Sequence, residues 1–220
     1  MGKEIRPTTD VAGVRSSWWE QASASRFRRS ILRLLPLTAL LVIVGVDLIL
    51  ARRPWPLLID GSTDEVGHLL TAALLLAVLP RSARGRLWPW ALLGAVVIDL
   101  DHVPLYTFAP EFAVSGRPPT HSLLTVLVLG IVAAVIPLVR IPFAGLALGV
   151  GLHLVRDVAT GPGVPLLWPF DDSAIRSPYA AYLVVIVGAA AVATWKVSRG
   201  IRRRADPPTA ASERDPALPA

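Results

Sequence analysis

Six apolar runs, several of them near the length needed to cross a bilayer, constrain the fold of this 220-residue chain more than any other feature. A spanning helix needs about 20 apolar residues, because in lipid the backbone must satisfy its own hydrogen bonds. A mean hydropathy of +0.55 is too high for an ordinary soluble domain. The predicted fold class is all-α, a polytopic integral membrane helical bundle of six segments: Leu34–Leu50, Glu65–Leu79, Leu87–Val103, His121–Val139, Ile141–Val158 and Tyr179–Val197.

Basic residues predict the orientation of these segments. If the six segments alternate, one side collects 17 Lys/Arg against 6 Asp/Glu, and the other side 5 Arg against 10 Asp/Glu. Cytoplasmic loops are enriched in Lys and Arg, so both termini are predicted to be cytoplasmic. The sequence predicts a disordered cytoplasmic tail over residues 1–30, a membrane domain over 31–198 and a basic, then Pro/Ala-rich, cytoplasmic tail over 199–220. The first apolar run is predicted to be a retained signal-anchor.

The remaining composition excludes several function classes. The chain has no cysteine, so thiolate ligands and disulfides are excluded. The pI near 10.7 is explained by the basic cytoplasmic regions. No nucleic-acid-binding motif accompanies the charge, so no nucleic-acid partner is predicted. Transport is disfavoured because the fourth and sixth segments have almost no polar residues that could form a path.

All four histidines lie at ends of apolar segments, and the predicted topology brings all four to the extracytoplasmic side. Ionisable groups at membrane depth are costly and usually functional. Imidazole and carboxylate are ligands of zinc and related metals. The predicted metal ligands are His68, Asp101, His102, His121, His153 and Asp157.

Two carboxylates lie at helical spacing from an imidazole. His153 and Asp157 are four residues apart and Asp99 and His102 three apart, so each pair shares a helix face. Asp101 points elsewhere unless the helix unwinds at this end. The candidates outnumber the three or four protein ligands of a single zinc. Either some carboxylates orient a ligating imidazole through a hydrogen bond to its second nitrogen, or the site holds two metals. Asp99 and Asp101 are the candidate catalytic carboxylates.

Arg117 precedes the triplet Thr120-His121-Ser122 in a loop on the same predicted side. An arginine beside a metal suits a phosphate or carboxylate on a substrate. Arg117, Thr120 and Ser122 are therefore predicted to bind substrate, and Arg117 also to act in catalysis. The alternative for single residues is structural: an interfacial histidine, an arginine at the lipid headgroups, or a helix cap such as Asp64.

The order of these residues resembles a known family, the YdjM-like metal-dependent hydrolases of the bacterial inner (cytoplasmic) membrane. The matching elements are His68, Asp-x-Asp-His at 99–102, Arg-x-x-Thr-His-Ser at 117–122, and His-x-x-x-Asp-x-x-Thr-Gly with a Leu-x-Pro-Phe tail at 153–170. The resemblance covers a hydrolase-like core at 64–170. The family is similar in turn to zinc-dependent phospholipase C and P1-type nucleases, which implies a zinc cluster and phosphoester hydrolysis.

The sequence thus predicts a membrane-embedded, metal-dependent hydrolase with an extracytoplasmic site that holds one or two divalent ions, zinc or alternatively manganese. Its partners are predicted to be a lipid-like or phosphorylated substrate and the membrane lipids, and the oligomeric state is left open. The alternative is a non-enzymatic metal-binding membrane scaffold or sensor. A scaffold closes every metal position with protein ligands, whereas a catalyst keeps one position open.

Overall fold

The computed structural model describes residues 11–52 and 54–205, and the side chains of 27–52 and 54–202. In these ranges the fold is all-helical, without a strand, and two isolated β-bridges join loop residues. This confirms the all-α part of the predicted fold class. The α-helices are α1 (Val11–Leu50), α2 (Leu57–Val78), α3 (Arg81–Val97), α4 (His102–Thr107), α5 (Leu123–Val135), α6 (Arg140–Thr160) and α7 (Tyr179–Ala205).

Three helical stretches of the described chain are long and apolar enough to cross a membrane. They are Phe27–Leu50, Pro137–Thr160 and Tyr179–Arg202. Helix α5 is also apolar but has 13 residues, short of the length that spans a bilayer. The chain is therefore a membrane protein by helix length and composition, while six spans and cytoplasmic termini stay predictions.

Several predicted boundaries differ from the structure. Segment three, predicted over Leu87–Val103, is helix α3 over Arg81–Val97 followed by a 3-10 turn and α4, and segment four, predicted over His121–Val139, is helix α5 over Leu123–Val135. Helix α2 begins at Leu57 after Pro56, not at Glu65, so His68 lies three turns inside a helix instead of at its start. The eight added residues are helical because Pro56 at the N-cap fixes the start and no further proline interrupts them. Helix α1 begins at Val11, within the stretch predicted to be a disordered tail. Residues 1–10 and 206–220 of the predicted tails lie outside the described residues.

The described chain divides into two compact units. One is formed by residues up to Leu35 with those from Trp195 onward, and the larger unit is Pro36–Thr194. The core of the larger unit packs Ile43 of α1 and Leu74 of α2 against the inner face of α7, where Ile186 is fully buried. All residues of the candidate site belong to this larger unit.

Helices α3 and α6 pack through glycine. Gly145 and Gly149, four residues apart on α6, face α3, and a Cβ built at Gly149 would lie 2.8 Å from the Ala95 nitrogen. Small residues at this spacing allow helix backbones to approach closely, which is the usual basis of helix packing in membranes. The close approach places the C-terminal half of α6, with its polar residues, directly against the C-terminal end of α3.

Candidate metal centre

Four histidines from four different parts of the chain converge in this unit. His68 comes from α2, His102 from the start of α4, His121 from the loop before α5, and His153 from α6. The rings of His68 and His153 are stacked with centroids 3.7 Å apart. His121 lies edge-on to His153 at 5.3 Å and to His102 at 4.8 Å. The predicted convergence of the four imidazoles is present in the structure.

A backbone carbonyl of α3 orients the ring of His153 through a hydrogen bond. Its Nδ1 lies 2.8 Å from the Ala95 carbonyl oxygen, which can only accept, so this nitrogen carries the proton and donates. Its Nε2 is thereby left with a free lone pair and faces Asp157 at 3.1 Å and Asp99 at 3.4 Å. Metal-ligating histidines are held in this way, with the second nitrogen donating to a carbonyl or carboxylate.

Asp99 lies at the centre of the cluster because α3 changes its winding. The chain after Val97 forms a 3-10 turn, Ile98–Asp101, which leads into α4. This is the unwinding on which the prediction for Asp101 depended. Oδ1 of Asp99 approaches ring nitrogens of His121, His102 and His153 at 2.9, 3.3 and 3.4 Å.

The ring of His121 lies between Asp101 on one side and Asp99 and Asp157 on the other. Its Nδ1 lies 3.4 Å from Asp101, and its Nε2 lies 2.9 Å from Asp99 and 3.7 Å from Asp157. Asp101 in turn accepts a hydrogen bond from the hydroxyl of Thr120. One buried imidazole therefore separates Asp101 from Asp157.

The donor set fits a divalent metal. Within the described residues, three overlapping groups bring one ligand atom per residue within 4.8 Å of each other: His68/Asp99/His153, Asp99/His102/His121 and His121/His153/Asp157. Several polar atoms here are buried without a hydrogen-bond partner, among them both nitrogens of His68 and Oδ1 of Asp157. Such atoms cost about 1–3 kcal/mol each, and a bound cation would satisfy the carboxylate oxygen and the unprotonated nitrogen of His68. Asp99 belongs to two of the groups and Asp101 to none.

Arg117 reaches the cluster from a tight turn. Val114 and Arg117 exchange backbone hydrogen bonds of 2.7 and 3.0 Å across Ser115 and Gly116, both with positive φ, as in a type I′ turn. The buried guanidinium forms an ion pair with Asp157, with Nη2 2.9 Å from Oδ1. Gly161 makes room for it, because a Cβ there would overlap Nη2 of Arg117.

A buried ionic network, not predicted from the sequence, lies beside the histidines. Arg156 is fully buried, and its Nη1 and Nη2 donate to Asp64 at 2.5 Å and to Asp47 at 2.7 Å. Asp47 also accepts a hydrogen bond from the Tyr179 hydroxyl at 2.8 Å. Asp64, interpreted above as a cap, makes no capping bond and also approaches His68 at 3.6 Å.

Among the comparisons with known proteins, a family model for the YdjM inner membrane protein matches residues 64–211. The chain belongs to this family. The match begins at Asp64, where the sequence resemblance also begins, and confirms the YdjM-like assignment. No curated protein and no solved structure matched the chain. Similarity to phospholipase C and P1-type nucleases stays a prediction.

The structure brings all the predicted site residues into one region but gives them different surroundings. Thr120 is exposed and bonded to Asp101, whereas Ser122 is fully buried at the N-cap of α5. Glu65 was not predicted, although it lies beside Asp99 and its Oε2 is buried without a partner. The sequence feature that could have indicated Glu65 is its position three residues before His68, which places both on one face of a helix.

Proposed function

We propose that this membrane protein is a metal-dependent hydrolase of phosphoester or related bonds. The observation that supports the proposal is the convergence of histidine nitrogens and aspartate oxygens from four parts of the chain into one buried cluster. We assign the metal, zinc or alternatively manganese, to His68, His102, His121, His153, Asp99 and Asp157. Six ligands are enough for two ions, because Asp99 belongs to two of the groups.

The other residues have separate roles in this proposal. The metal supplies Lewis acidity and activates water near neutral pH. Asp101, at the edge of the cluster and partly exposed, acts as the general base, with its carboxylate oriented by Thr120. Arg117 binds the anionic group of the substrate and offsets charge that develops there. Thr120 and Ser122 complete the proposed substrate contacts, and the buried hydroxyl of Ser122 has no hydrogen-bond partner within the described residues.

The proposed location is the bacterial inner membrane, with six spans and both termini in the cytoplasm. The cluster then lies near the extracytoplasmic surface, where lipids and envelope precursors carry phosphoester bonds. The basic loops support this orientation, and the family supports the membrane.

Metal content tests the proposal. The purified protein in detergent is compared with a His102→Ala/His153→Ala variant by elemental mass spectrometry, and Asp171→Ala, an exposed carboxylate outside the cluster, is the control. We expect stoichiometric zinc or manganese in the wild type and the control, and its loss in the double variant. Hydrolysis of bis(p-nitrophenyl) phosphate should follow the metal. No metal after reconstitution contradicts the site, and a metal without hydrolysis favours the scaffold or sensor.

A further inference from the structure

An apolar groove of about 280 Å³ meets the cluster at Asp101 and Thr120. It lies between α3, α5 and α6. Apart from Asp101, Thr120 and Thr125, it is lined by apolar residues, namely Val97, Ile98, Leu129, Leu146 and Val150, and by Gly94. Because Thr120 donates to Asp101, the polar end of the groove is part of the cluster itself.

A second cavity of about 390 Å³ meets the cluster elsewhere and is much more polar. Its lining includes Arg117, Arg156, Thr160 and Tyr179, and also Asp47 and Asp64, whose carboxylates are ion-paired with Arg156. It reaches the cluster through Arg117, which is ion-paired with Asp157. Nε of Arg117 is buried without a partner, so this guanidinium retains a donor for an anion.

The two cavities thus contact the cluster through different carboxylates. Asp101 borders the apolar groove, and Asp157 is ion-paired with Arg117 of the polar cavity. The ring of His121 lies between the two carboxylates, 3.4 Å from Asp101 and 3.7 Å from Asp157. A molecule with one part in each cavity would have candidate metal ligands such as His121 beside the bond that joins the two parts. Such a molecule needs an apolar end and an anionic end.

We infer that the substrate is an amphiphilic phosphoester whose alkyl chain lies in the apolar groove and whose anionic head lies beside Arg117. The inference rests on the proposed hydrolase function and narrows its substrate class. In a membrane, the groove gives an alkyl chain little hydrophobic gain over lipid. The groove therefore acts by positioning the ester bond at the cluster. Its contribution is expected in the rate of hydrolysis.

Two tryptophan variants of α3 test the groove. Val97 lines it and is 41% exposed, whereas Leu93, one turn earlier, is 45% exposed and is not part of the lining. The substrates are dodecyl and ethyl p-nitrophenyl phosphate in detergent micelles. We expect Val97→Trp to lower kcat/KM for the dodecyl ester about tenfold more than for the ethyl ester. Leu93→Trp should change neither, which controls for partition into the micelle.

A labelling experiment gives a result that does not need turnover. Dodecyl phosphate with a diazirine at the chain end is photolysed with the wild type and both variants, and the labelled peptides are mapped. We expect label on the groove residues of α3, α5 and α6, and its loss in Val97→Trp alone. Label spread over all exposed apolar residues, or equal loss of both esters in Val97→Trp, would overturn the inference. Label in the groove without hydrolysis of either ester would uphold the binding site and contradict the hydrolase.

Discussion

Asp99 and Asp101 are two residues apart, yet their carboxylates have different surroundings. Oδ1 of Asp99 is within 3.4 Å of ring nitrogens from three histidines, while Asp101 is bonded by Thr120 and borders the apolar groove. We expect Asp99→Asn to lower the metal content. Asp101→Asn should retain the metal and lower kcat by about 10²–10⁴. Elemental analysis and hydrolysis assays of both variants check this, and metal loss in both would contradict separate roles.

The buried ion pairs of Arg156 with Asp47 and Asp64 are expected to contribute to the stability of the protein. It is fully buried between Asp47 and Asp64, so Arg156→Met leaves two carboxylates without their counter-ion. We expect a loss of about 3–5 kcal/mol in stability, measured as a lower Tm in detergent. Adding Asp64→Asn should restore part of it, because the two sites are coupled. The exposed Arg140→Met is the control, and an unchanged Tm for Arg156→Met would show that the network contributes nothing.

At the scale of elements, the contact between α3 and α6 determines the orientation of His153. A Cβ on Gly149 would lie 2.8 Å from the backbone of Ala95, whose carbonyl accepts the hydrogen bond from His153. Gly149→Ala therefore separates the helices, and we expect a loss of about 1–3 kcal/mol in stability together with weaker metal binding. Thermal unfolding and metal titration measure the two effects.

Gly151 on the same helix is the matched control for Gly149. A Cβ built there meets nothing within 4 Å, so Gly151→Ala should be neutral or stabilising by about 0.5–1 kcal/mol because alanine favours a helix. Equal effects of the two substitutions would mean that helix propensity, and not the approach of α3 to α6, explains the loss.

The elements also show which parts of the site could be predicted. The i,i+3 and i,i+4 spacings predicted the Asp99–His102 and His153–Asp157 pairs, because helical neighbours are determined by local geometry. The partners of Asp47 could not be predicted, since Arg156 is 109 residues away and Tyr179 is 132 residues away. Contacts at such separations depend on how whole helices pack. The sequence of a helix that is apolar on all sides does not show which face packs against which neighbour.

At the scale of the whole molecule, the position of the cluster relative to the membrane depends on whether α3 and α5 cross it. Helix α3 has 17 residues, at the lower limit of the length that spans a bilayer, and α5 has 13, below that limit. The topology with six spans requires both helices to cross. For α3, this means that the turn before it and the loop with Arg117 after it must lie on opposite sides of the membrane. A bilayer that thins locally around short helices can meet this requirement, at a modest cost in free energy.

The absence of cysteine makes this topology directly measurable. Single cysteines are introduced as Glu111→Cys, in the loop before Arg117, and Ser82→Cys, at the start of α3, both at exposed positions. In spheroplasts, a membrane-impermeant maleimide should label residue 111 directly and residue 82 only after permeabilisation, because basic loops stay in the cytoplasm. Labelling of both positions from one side would show that α3 does not cross. Reversed labelling would place the cluster at the cytoplasmic surface and direct the search for its substrate to the inner leaflet.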